Sequence, residues 1–187
     1  MKSETTVLAI ITLLVGLVIS LVVCQLFDWN MFVKNNLGFK LLEYTVLAAL
    51  SIFLVRKMKL PIGAIIVVIL GAIKIILIPQ NEVIARLGSF TLYGLFSIAH
   101  YLAFFVVFVL FFKGEKSRYM RNLLFSLTAG STFALIQSAF HLIADITLTP
   151  NLFLLYFRYG FIFMLSVSFS VAVSEQAFGW LKQKFLT

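Results

Sequence analysis

Charge is scarce in this chain: Asp, Glu, Lys and Arg make up 12% of its 187 residues, against 62% hydrophobic residues and a mean hydropathy of +1.09. A water-soluble domain of that length still shows much of its surface to solvent, so it cannot hide so much apolar area. The scarcity excludes a soluble globular protein and makes lipid the expected solvent. A bilayer core about 30 Å thick takes roughly 20 residues of helix to cross. The chain therefore has length for six crossings and no room for a separate soluble domain, so a single domain spanning 1–187 is expected.

Cysteine is nearly absent. The single Cys24 lies in an apolar run, excludes an internal disulfide and a multi-cysteine metal site, and reads as a small buried or lipid-facing residue. Histidine is limited to His100 and His141. Counted from the polar segment between their two helices, they differ in depth by about 10 Å at 1.5 Å per residue, too far for one haem iron. His141 and Asp145 stand four apart but lack a third strong ligand, so no metal is expected. Gly130-Ser131 lacks the Gly-x-Ser-x-Gly setting of a serine nucleophile. Paired catalytic carboxylates, phosphate-cradling glycine loops and His-Glu-x-x-His are absent too. No cofactor and no catalysis are expected, with a membrane-embedded enzyme as the minor alternative.

What the chain does have is six continuous apolar runs, over 5–27, 39–55, 61–79, 89–112, 122–146 and 153–180. Their continuity predicts an all-α, polytopic six-helix membrane bundle, since a membrane barrel would alternate over segments of about 10 residues. The first run exceeds a signal-peptide core and is not followed by an Ala-x-Ala cleavage site, which predicts a retained span. Pro61 and Pro79 bracket the third run as helix punctuation.

The net charge of +8 sits in short connections rather than along an exposed helix, so it does not point to nucleic acid. Lys2, Arg56, Lys57, Lys59, Lys113, Lys116, Arg118, Arg121, Lys182 and Lys184 fall on one side of a six-span layout; Lys34, Lys40, Arg86 and Arg158 fall on the other. Cationic loops stay in the cytoplasm, which predicts both termini there and a cell-membrane (plasma or inner membrane) location.

Polar residues in hydrocarbon are costly, so their placement is informative. On the fifth span Ser131, Gln137, Ser138, His141 and Asp145 share a sector, with Phe133, Ile136, Phe140 and Ile143 expected to face away. The fourth span carries Ser89, Tyr93, Ser97, His100 and Tyr101 on one face, and the sixth Tyr156, Tyr159, Ser166, Ser170 and Ser174. Three such faces are expected to converge on an interior cavity, because lipid cannot satisfy them. Hydroxyls that bond back to their own helix are the plainer reading. Glu43, Lys74, His141, Asp145 and Arg158 all fall toward the outer boundary, and Lys74 is placed to pair with Glu43 or to snorkel.

Six spans, both ends inside and a polar pocket on the last three helices resemble, across the whole chain and in layout, the substrate-binding S components of energy-coupling factor transporters. The resemblance implies a small solute held by Tyr93, Ser97, His100, Gln137, His141, Asp145 and Tyr159. It also implies a transmembrane coupling subunit, with ATP-binding subunits, docked on a small-residue motif of the first helix. Here Gly16-Leu17-Val18-Ile19-Ser20 stands in place of Ala-x-x-x-Ala. A second likeness, to VanZ-like membrane proteins, lies in Ala99-His100-Tyr101-Leu102-Ala103-Phe104 and Thr132-Phe133-Ala134-Leu135-Ile136-Gln137, where Ala134 replaces their usual glutamate. A solute-binding subunit and a structural or accessory subunit of a larger complex therefore both stand as expectations.

Overall fold

Each of the six apolar runs is helical over its described residues, the conformation in which a backbone satisfies its own hydrogen bonds without water. The computed structural model describes residues 2–26, 37–77, 89–112, 118–143 and 149–185 and has no strand among them. The helices are α1 (Lys2–Leu26), α2 (Leu37–Lys57), α3 (Leu60–Leu77), α4 (Phe90–Phe112), α5 (Arg118–Ile143) and α6 (Pro150–Phe185). Pro79, Asp145, Lys34, Arg86, Lys113 and Lys116 lie outside the described residues, as do the side chains of Cys24 and Arg118.

Four stretches are long and apolar enough to cross a membrane: Glu4–Val23, Phe90–Phe112, Met120–Ile143 and Pro150–Lys184. The apolar stretch of α3, Leu60–Lys74, is shorter. Helix α2 carries Lys40, Glu43, Arg56 and Lys57 along its length. It can do so because it is the interior helix, meeting α1, α3, α4 and α6, with Leu41, Tyr44, Leu47, Ala48 and Ile52 all buried.

The helices exceed the apolar runs most at the start of α5 and at both ends of α6. Hydropathy marks where lipid lies, whereas a helix continues until its end is capped. Ser89 Oγ accepts from the Thr91 and Leu92 amides at 3.2 and 3.4 Å, so this serine caps α4 instead of joining its polar face. Thr149 Oγ1 accepts from Leu152 N at 3.2 Å and Pro150 occupies the first helical position of α6, where its missing N–H costs nothing. Pro61 plays the same part in the first turn of α3.

Consecutive helices are joined as close hairpins by glycine. Gly16 of α1 packs directly on the Thr45 methyl of α2. A Cβ on Gly71 of α3 would come within 3.0 Å of Ile98 Cα on α4. A Cβ on Gly130 of α5 would come within 2.9 Å of Phe161 Cα on α6, while one on Gly160 would come within 3.0 Å of the Gly130 carbonyl oxygen. Small residues at such crossings let backbones approach where no hydrophobic force between helices exists. Contacts from α4 to α5 and from α6 to α1 complete the bundle, and Lys182 Nζ reaches Glu4 Oε1 at 3.1 Å, so both termini lie at one end.

The interior of the half nearest the termini is aromatic. Phe108 stacks on Phe112 at 4.3 Å between centroids, and Phe125 meets Phe112 edge-on at 5.2 Å and Phe108 at 6.0 Å. Leu14, Ile76, Leu110, Leu135 and Phe169 are exposed on the outside, an arrangement suited to lipid and not to water.

Gly130→Val should destabilise the bundle by about 1–3 kcal/mol through overpacking. Gly179→Ala, where nothing lies within 4 Å, should be neutral or stabilising by up to about 1 kcal/mol. Unfolding midpoints in mild detergent distinguish the two.

Candidate functional site

Helices α4, α5 and α6 bring several of the expected residues to the half of the bundle away from the termini. On α5, Gln137 Nε2 lies 3.5 Å from His141 Nε2, and Tyr156 Oη of α6 lies 3.0 Å from His141 Nδ1 with the two rings edge to face. On α4, Tyr93 and Ser97 are fully enclosed and His100 is buried. His100 Nδ1 stands 2.9 Å from the Phe96 carbonyl, and the Phe133 carbonyl also acts on the ring, so the neutral imidazole, with one N–H, can donate to only one of the two.

Five buried polar atoms in this half make no hydrogen bond: Ser97 Oγ, His100 Nε2, Gln137 Oε1 and Ser138 Oγ on α4 and α5, and Glu43 Oε2 on α2. Around them the apolar interior divides into two small clusters, Tyr93 with Phe96 flanked by Ile136 and Phe140, and Leu41 with Phe163 flanked by Val23 and Tyr159. Tyr159 thus packs on the α2 side, its ring stacked 6.5 Å from that of Phe163.

A void between α2, α4, α5 and α6 is lined by Tyr44, His100, Phe104, Thr132, Phe133 and Met164. It holds about one water molecule. Where these four helices meet, the void is the size of a single water rather than of a solute.

Several expected members lie elsewhere. Ser166, Ser170 and Ser174 each donate to the carbonyl four residues back, at 2.9, 2.8 and 2.6 Å, and so satisfy themselves along α6. Ser131 bonds back to Leu127 O at 2.8 Å at an exposed position. Phe133, expected to face away from the polar sector, is buried at the centre, 5.0 Å from the His100 ring and 6.3 Å from the Tyr44 ring. Phe140 likewise meets Phe96 at 5.1 Å. A helix wedged between two neighbours buries a wide arc, so α5 turns its aromatic sector to α4 and its polar sector to α6. Arg158 is exposed, and Asp145 lies outside the described residues.

On α1, Ser20 is buried and donates to the Gly16 carbonyl at 2.7 Å, while Gly16 is filled by Thr45. The small-residue pair is consumed within the chain and does not face outward.

Two part-buried ion pairs complete the electrostatics. Lys74 Nζ lies 2.6 Å from Glu43 Oε1, across α3 and α2. At the end bearing the termini, Arg121 donates to Glu175 Oε2 at 2.6 Å and its guanidinium lies 4.5 Å from the Phe112 ring centroid. Sequence reasoning placed Arg121 in a connection and gave Glu175 no role. An isolated acid and a cation at matching distance from one end of neighbouring helices would have signalled the pair. Among the described residues no three His, Cys, Asp or Glu side chains come together to hold a metal.

No family model, characterised protein or solved structure matches this chain.

Removing one partner of a buried pair leaves the other charge uncompensated. Glu175→Ala should therefore cost about 3–5 kcal/mol of stability, whereas Lys182→Ala at the exposed Glu4 pair should cost no more than about 1 kcal/mol. Thermal unfolding of purified variants measures the contrast.

Proposed function

We propose that this chain is a six-span subunit of the cell membrane, with both termini in the cytoplasm, that binds a small polar solute between α4, α5 and α6 at the outer end. The observation carrying the reading is the set of four unpartnered atoms, Ser97 Oγ, His100 Nε2, Gln137 Oε1 and Ser138 Oγ, on the half of α4 and α5 away from the termini. Buried polar groups are normally paired, and those left bare in low dielectric mark where a ligand supplies the missing partner. The one-water void means that solute entry must part the Phe96–Phe140 and His100–Phe133 contacts. The orientation rests on the ten-to-four division of cations between the two sides.

The layout of energy-coupling factor S components supports the same role. With Gly16 and Ser20 turned toward α2, a coupling subunit would have to meet the apolar outer side of α1, at Leu14, Leu17, Val18 and Leu21. The small size of the void between α2, α4, α5 and α6 favours a second reading, an accessory subunit whose polar groups serve packing alone.

Native mass spectrometry from mild detergent tests the choice. The proposal expects a retained small molecule whose occupancy falls about three- to tenfold in Ser97→Ala and in Gln137→Ala, one lost hydrogen bond each. A protein free of small molecules but accompanied by a stoichiometric partner chain would select the accessory reading. Single cysteines at Lys57 and Lys184 should react with an impermeant maleimide only from the cytoplasmic side.

A further inference from the structure

A second polar group crosses the bundle between α2, α3 and α4, apart from the residues assigned to solute. Lys74 Nζ lies 2.6 Å from Glu43 Oε1, and the two side chains are only 11% and 8% exposed. The ammonium stands 5.3 Å from the Tyr101 ring centroid, and Tyr101 also flanks the Glu43 carboxylate. Glu43 Oε2, however, is buried with no hydrogen-bond partner.

An ion pair withdrawn from water stabilises a fold only when its remaining lone pairs are satisfied. The second oxygen of this carboxylate has the Tyr101 hydroxyl close by but makes no hydrogen bond of good geometry. The partners also differ in mobility. Lys74 sits three residues before the last residue of α3, and its four-carbon stem can carry the ammonium out to the headgroup level. Glu43 has a short side chain, begins in the second turn of the enclosed helix α2, and cannot follow. One charge is fixed and the other can leave.

We propose that Glu43 is the binding carboxylate for a monovalent cation, and that the Lys74 ammonium is its tethered resident competitor. A cation arriving from the end away from the termini takes both carboxylate oxygens and the face of Tyr101, while Lys74 swings to the interface. The buried site carries one negative and one positive charge before and after the exchange, as hydrocarbon requires. A divalent ion would leave a net positive charge there, beside Lys40 on α2 and His100 on α4, and an anion would meet Glu43. Tyr44 and Tyr101 are neutral and add no compensating charge. The inference does not rest on solute binding between α4, α5 and α6.

Acylation of the full-length protein in mild detergent provides the test, with labelling at Lys74 read by mass spectrometry. Sodium, potassium and rubidium chlorides are each titrated against choline chloride at constant ionic strength. At least one of the three should raise the labelling rate of Lys74 severalfold and saturably, leaving Lys182 unaffected. In Glu43→Gln the rate should be high without added cation and insensitive to it. Lys74→Met should show a thermal midpoint that rises with the same cation, and the Glu43→Gln/Lys74→Met double variant should not. Labelling of wild-type Lys74 indifferent to all three salts, or a Lys74→Met midpoint equal in choline and in every cation, would overturn the proposal and leave a structural ion pair. Should Glu43→Gln fail to fold, the wild-type titration and Lys74→Met decide alone.

Discussion

The bundle is governed by the absence of water around it. A polar group inside this protein has only its own helix, a neighbouring helix or a bound ligand to turn to, and leaving it bare is costly. Most hydroxyls take the first route. Thr12, Ser20, Thr45 and Ser51 each donate to the carbonyl one turn back and vanish from the electrostatic account. Side chains that cannot reach their own backbone define the interior: Glu43 with Lys74, Arg121 with Glu175, and Gln137 with His141 and Tyr156.

That constraint also explains why α2 looks ill-suited to a membrane. Its charges are tolerated because four helices enclose it, and Glu43 finds its counter-charge on one of them. Helices α1 and α3, by contrast, each turn a wide apolar side outward and keep their small residues for the partner within their own hairpin. Stacked rings gather in the half nearest the termini, while buried polar atoms are left unpartnered in both halves: Arg121 Nε and Asn122 Oδ1 in that one, and Glu43 Oε2, Ser97 Oγ, His100 Nε2, Gln137 Oε1 and Ser138 Oγ in the other. Each half also holds a part-buried ion pair across its helices.

Much of this was legible from residue order. Continuous apolar runs foretold helices and their sequence, because length and hydropathy depend on one chain segment at a time. The proximity of Glu43 and Lys74 was also readable, since both are isolated charges at similar depth on adjacent spans. The orientation of α5 was not. A wheel shows that Phe133 and Gln137 point in different directions, but both are inward when helices press from two sides, and that depends on contacts made far along the chain. Nor could a wheel tell self-satisfied serines on α6 from Ser97 and Ser138, which differ in the rotamer that aims the hydroxyl at, or away from, the carbonyl one turn back.

The three glycine crossings have a consequence for how the protein is made. Each joins helices adjacent in the chain, α1 to α2, α3 to α4 and α5 to α6. Because a ribosome delivers the chain from its amino-terminal end, each pair has everything its own closest seam requires once its second helix is complete, whereas Glu43 on the first pair finds its counter-charge only on the second.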